Sequence, residues 1–176
     1  QIAWMVENVY FSTYIQKNIT AAGWATSATV AASAIAAALA TIFSAAWSDR
    51  VGKRRAFVCW GYILWGITTA AFALFGNRQV GGSVGLAVTL FVVMDCVMSA
   101  IGSTANDSAF SAWVTDVTDV TNRGVVDIVL SILPIVALIV IFAGFDGMTV
   151  HGNWTGFFLI LGALTSAAGV LGLCIF

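Results

Sequence analysis

Charge is what this chain has least of. Asp, Glu, Lys and Arg together make up 9% of its 176 residues while 60% are hydrophobic, against about 25% charged residues in soluble domains. So few charges cannot keep a surface in water, which excludes a soluble fold and leaves an integral membrane protein. Histidine occurs once, as His151. The clustered imidazoles and acids of a hydrolytic or metal-dependent centre are therefore missing, so no catalytic residue, metal ligand or cofactor is expected and the chain reads as a non-enzyme. Cys59, Cys96 and Cys174 fall in separate apolar runs without CxxC spacing and read as small apolar side chains. The basic residues form no extended stripe with interleaved aromatics, which disfavours nucleic acid as a partner.

What the chain does have is long apolar runs. At about 20 residues per crossing, they give six spans at 1–16, 23–47, 57–75, 84–105, 124–145 and 154–176. This is an all-α membrane bundle set in a lipid bilayer. The first run begins at Gln1 and the last closes at Phe176, without an initiator Met or a leader, so the sequence reads as truncated at both ends. Span 2 repeats small residues every fourth position (Ala32, Ala36, Ala40 and Ser44, and beside them Ser33, Ala37, Thr41 and Ala45), which lets another helix approach closely. Gly61 and Gly66 are thin places in span 3, and Gly162, Ser166 and Gly169 form a small face on span 6. Pro134 predicts a kink in span 5. Polar connections are expected at 76–83, 106–122 and 146–153.

Four of the seven Lys and Arg residues, Arg50, Lys53, Arg54 and Arg55, crowd into the loop at 48–55. Basic loops resist translocation, so this loop is placed in the cytoplasm of a multi-pass plasma-membrane protein. Arg123 falls on the same side, with Lys17 and Arg78 opposite.

Two acids lie deep in the spans. Glu7 is nine residues, roughly 14 Å, from the outer end of span 1, and Asp95 is eleven residues, roughly 16 Å, into span 4. Both depths are near the middle of a hydrocarbon core about 30 Å thick. A carboxylate there costs about 2.5 to 3.5 kcal/mol on insertion scales and marks a solute or ion path. Ser99, Gly102 and Asn106 continue the face of Asp95, while Asn8, Tyr10, Phe11 and Tyr14 surround Glu7 with amide and aromatic surface. An acid beside aromatic rings suits a polyhydroxylated ligand. The candidate binding residues are Glu7, Asn8, Tyr14, Asp95, Ser99 and Asn106. Asp127, about one turn inside span 5, is better explained by interfacial solvation or helix N-terminal stabilisation.

Ser48-Asp49-Arg50-Val51-Gly52-Lys53-Arg54-Arg55 resembles the signature of the loop between helices 2 and 3 of major facilitator superfamily transporters, Gly-x-x-x-Asp-Arg-x-Gly-Arg-Arg, with Ala45 where the pattern opens on Gly. The resemblance implies the N-terminal six-helix half of a twelve-helix carrier, built as two three-helix repeats and lacking its C-terminal half. It also implies a loop in which Asp49, Arg50, Gly52, Lys53 and Arg54, with Asp116, gate the inner side.

More closely, Val93-Met94-Asp95, Phe110-Ser111-Ala112-Trp113-Val114-Thr115-Asp116 and Thr121-Asn122-Arg123 resemble segments of the glycoside-pentoside-hexuronide sugar:cation symporters. That match implies symport of a sugar or glycoside held by Asp95. Ser33 and Ala37 stand where cation-coupled members carry two acids, and span 5 has no interior Arg. Sodium coupling by the usual site is therefore disfavoured, and a proton is left as the coupling ion. The alternative expectation is a non-transporting six-helix sensor or channel-like protein.

Overall fold

The computed structural model describes residues 2–51, 54–75 and 83–175, with the side chains at 48, 49, 51 and 175 set aside. Among the described residues the chain is helical and has no strands. It forms α1 (2–19), α2 (Gly23–Val51), α3 (Arg54–Ala71, tightening to a 3-10 turn at Phe72–Leu74), α4 (Val84–Val117), α5 (Arg123–Val150) and α6 (Trp154–Ile175). All but α1 are long and apolar enough to cross a membrane.

Several elements run further than the sequence pattern indicates: α2 continues to Val51 and α3 begins at Arg54, inside the expected loop at 48–55. The helix α4 passes through Asn106 to Val117, so most of the expected polar connection is helix. Its Thr104–Phe110 stretch is wound as a wider π-turn. The helix α5 continues to Val150, which puts Asp146 on a helix instead of in a loop, and it is helical on both sides of Pro134. The turn into α6 is made by Gly152, with φ +75°, and by Asn153, whose Oδ1 accepts from the Gly156 N–H at 3.1 Å. Gly52, Lys53 and the segment 76–82 with Arg78 lie outside the described residues.

In lipid, helices gain no hydrophobic advantage by associating, so close packing and interhelical hydrogen bonds hold the bundle together. The most extensive seam joins α3 to α6. A Cβ at Gly66 would stand 2.2 Å from Ser166 Oγ and 2.4 Å from the Gly162 carbonyl oxygen, a gap that only glycine can enter. Ser166 Oγ uses the closeness to donate to the Ile63 carbonyl at 3.1 Å. The second seam joins α2 to α4 along the small face of α2. Ala25, Thr29, Ser33 and Ser44 are buried there, and the Ser44 and Ser108 hydroxyls meet at 2.9 Å. The opposite face of α2 exposes Ile35, Leu39, Ile42 and Phe43.

The helix α1 runs through the core. Val6, Tyr10, Phe11, Tyr14 and Ile15 are all buried. Phe11 lies 4.4 Å from Phe72 and 5.1 Å from Phe91, ring centre to ring centre, and Tyr14 stacks on Phe91 at 5.4 Å. These rings cluster toward the end of the bundle away from the basic loop.

If the α3–α6 seam depends on Gly66, then Gly66→Ala, an overpacking change of about 1 to 3 kcal/mol, lowers the melting temperature in detergent. Gly85→Ala, where an added Cβ meets nothing within 4 Å, leaves it unchanged or raises it.

Candidate functional site: a polar cavity between α1, α2 and α4

A cavity of about 270 Å³ opens among α1, α2 and α4, with one residue from α3. From α1 come Trp4, Glu7, Asn8 and Phe11. Trp4, three residues before Glu7, shares its helical face, and Phe11 lines the cavity from beyond the Val6–Tyr10 π-turn. The small face of α2 adds Thr26, Thr29, Ser33 and Ala37, α3 adds Trp65, and α4 adds Asp95, Ser99, Asn106 and Asp107.

The polar groups are unevenly satisfied. Ser99 Oγ donates to Glu7 Oε1 and ties α4 to α1 at the depth of both acids. The Tyr62 hydroxyl donates to Asn106 Oδ1 at 2.8 Å, and Asn106 Nδ2 donates to Asp107 Oδ1 at 3.1 Å. Thr29 and Ser33 turn their hydroxyls back on their own helix, to the Ala25 and Val30 carbonyls at 2.9 and 3.3 Å.

Asp95 is 2% exposed and faces Ser33, yet its Oδ1 has no hydrogen bond. Thr26 Oγ1 and the Trp65 indole N–H are also buried without a partner. A buried polar atom left unsatisfied costs about 1 to 3 kcal/mol. These three line one cavity, so a single occupant, water or solute, can satisfy them together.

Local backbone features set this geometry. In α1 the stretch Val6–Tyr10 is a π-turn, and so is Thr104–Phe110 in α4. Each wider turn shifts the helical face by part of a residue, and π-turns recur at functional sites. In α4, Ser99, Gly102, Ser103, Asn106 and Asp107 all line the cavity, at the i, i+3, i+4, i+7, i+8 spacing of one helical face. Gly102 makes room for the indole of Trp65. A Cβ there would stand 2.6 Å from Trp65 Cε2 and 3.0 Å from Nε1.

Of the expected binding residues, Glu7, Asn8, Asp95, Ser99 and Asn106 line this cavity. Tyr14 does not. Its ring stacks in the aromatic cluster, edge-on to Trp154 at 5.1 Å, and its hydroxyl donates to the Phe75 carbonyl. Tyr10 also turns away from Glu7, toward Phe157 at 4.8 Å and Asp146 Oδ1 at 3.1 Å. The π-turn between Glu7 and Phe11 rotates the later residues of α1 out of simple register. Sequence reasoning missed Trp4, Thr26, Trp65 and Asp107. The i−3 spacing of Trp4 from Glu7 was a usable signal for the first of these. Asp107, eight residues after Ser99, lay on the same repeat; nothing local marks Thr26 and Trp65.

At the basic end, Arg54 pairs with Asp116 across α3 and α4, both partly exposed to solvent. Arg123 caps the end of α4, donating from Nη2 to the Thr115 carbonyl at 3.0 Å and from Nε to Thr118 Oγ1 at 3.3 Å. Arg50 is exposed in the last turn of α2. Gly52, Lys53 and the side chain of Asp49 lie outside the described residues.

The family model described as Major Facilitator Superfamily matches residues 1–176. Neither a curated protein nor a solved structure matches the chain.

The contact between Gly102 and Trp65 gives a prediction for this site. Gly102→Ala destabilises the bundle in detergent melts, and the loss is smaller in a Trp65→Phe background, where the smaller ring leaves room for the methyl. The double-mutant cycle shows a coupling of about 1 kcal/mol or more.

Proposed function

Because the chain belongs to the Major Facilitator Superfamily, we propose that the cavity between α1, α2 and α4 is its share of the solute site of a secondary active transporter. Members of this family carry small solutes across membranes and are not enzymes. One observation carries the assignment to this cavity. Two acids from different helices, Glu7 and Asp95, line the same small polar space inside an apolar bundle, and the Asp95 carboxylate has an oxygen still without a partner.

The solute we propose is small and rich in hydroxyl groups, a sugar or glycoside. Carboxylate and amide groups accept its hydroxyl hydrogens, the unpartnered Trp65 N–H donates to a ring or hydroxyl oxygen, and Trp4 and Phe11 supply apolar surface for the ring faces. Trp4, Asn8, Val30 and Ala34, all exposed, edge the cavity. In our reading a second six-helix bundle covers that edge, and the two bundles rock about the site to expose it to one side at a time.

The coupling ion in this proposal is a proton carried on Glu7 or Asp95, since Ser33 and Ala37 add no acid from α2. The Arg54–Asp116 pair serves as one of the latches of the end we assign to the cytoplasm. Because exposed pairs contribute only about 0 to 1 kcal/mol, breaking it changes transport rate more than stability.

Uptake by the full-length protein in proteoliposomes tests the assignment, using a panel of radiolabelled monosaccharides, amino sugars and glycosides. At least one is accumulated. Asp95→Asn reduces its initial rate about tenfold or more, as expected for loss of a charge-assisted hydrogen bond, while insertion is preserved. Uptake also raises external pH and is abolished by a proton uncoupler. Unchanged uptake in the Asp95→Asn protein would remove the cavity from the mechanism, and unchanged external pH with indifference to the uncoupler would remove the proton.

A further inference from the structure

The cavity has a lopsided charge. Glu7, Asp95 and Asp107 line it from two helices, and none of its described lining residues is Lys, Arg or His. Buried charges are usually paired. Ser99 supplies Glu7 with a neutral hydroxyl, Asn106 supplies Asp107 with a neutral amide, and Asp95 Oδ1 has nothing. These acids meet only neutral donors: Asp107 is exposed at the cavity's edge, Glu7 is half-buried, and the buried Asp95 keeps one oxygen open. The missing positive charge belongs to what enters.

The arrangement also narrows the kind of cation. Among the described residues, no three of His, Cys, Asp and Glu are gathered as they would be around a metal ion. The acids are spread along the cavity, which fits an occupant of several atoms better than a single ion. Trp4, Phe11 and Trp65 line the same space, and aromatic rings attract organic cations as well as apolar surface. The Trp65 indole N–H, in a side chain 2% exposed and without a partner, needs an acceptor. A simple alkylammonium has none. An occupant with both an ammonium group and hydroxyl or ether oxygens answers Asp95 and Trp65 together, and at about 270 Å³ the space is of small-molecule size.

We infer that the cavity selects a protonated amine that also carries hydroxyl groups, an amino sugar or amino alcohol, over a neutral sugar of the same shape. This rests on the reading of the cavity as a solute site and names the class of solute within it. Asp95, ionised, holds the ammonium group, Asp107 supplies negative field at the cavity's edge, Glu7 is left to carry the coupling proton, and Trp65 donates to an oxygen.

The test is binding by the full-length protein in nanodiscs, followed by calorimetry with glucosamine, N-acetylglucosamine and glucose, which share a ring and differ in charge. Glucosamine binds about tenfold or more tightly than either neutral sugar, and the preference disappears in Asp95→Asn. Trp65→Phe weakens glucosamine while keeping the preference for charge. Equal binding of the three sugars overturns the inference but leaves a solute site in place. So does a preference that survives Asp95→Asn, because the charge is then read elsewhere. Binding of none of them overturns the inference as well. Selective binding without uptake in proteoliposomes sustains the amine site and rejects the transporter reading instead.

Discussion

Carboxyl groups inside an apolar bundle have to be surrounded by polar groups, and the placing of Glu7 and Asp95 organises the rest of this one. The hydrogen bond from Ser99 to Glu7 joins α1 to α4. It brings two acids from separate helices into one space. Around them the helices present hydroxyl, amide and indole groups, while the outward faces of α2 and α5 carry Ile35, Ile42, Ile128 and Ile139. Polar groups from α1, α2 and α4 are gathered in this one space.

Small residues make such a space possible. Close approach at Gly66, Gly162 and Ser166 locks α3 to α6 at that level, so that α3 is a firm backing from which Trp65 reaches toward α4. The α2–α4 seam uses the same means less completely. Ser44 and Ser108 close it at the basic end, while nearer the acids the small side chains of Ser33 and Ala37 leave room. The same four-residue repeat thus produces tight packing along one part of α2 and a solute-sized opening along another. The aromatic cluster of Phe11, Tyr14, Phe72 and Phe91 fills the core toward the other end.

Much of this was legible in the sequence. The apolar runs marked the helices, the glycine and serine spacing of spans 3 and 6 matched the seam they form, and mid-span acids pointed to the polar cavity. The loop motif around Asp49 and Arg50 pointed to the family. What periodicity could not carry was the effect of the π-turns. A regular repeat from Glu7 reaches Tyr14, which instead joins the aromatic cluster. Trp65 belongs to a span with no acid of its own, and only the position of Gly102 on a neighbouring helix explains where its ring goes. The helical stretch beyond Asn106 was read as a connection because its polar residues outweighed its helical pattern. They are tolerated there because that part of α4 runs toward the basic end of the bundle.

The central claim is that the two acids share a water-filled space and not a sealed core, and thiol accessibility measures this most directly. With Cys59, Cys96 and Cys174 replaced by Ala, a single cysteine at Ser103, on the cavity wall, is compared with one at Ile139, on the lipid-facing side of α5. A charged thiosulfonate reagent reacts only where water carries it. The account predicts rapid modification of the Ser103→Cys protein and little at Ile139→Cys. Equal rates at the two positions, or an inert cysteine at 103, would contradict it.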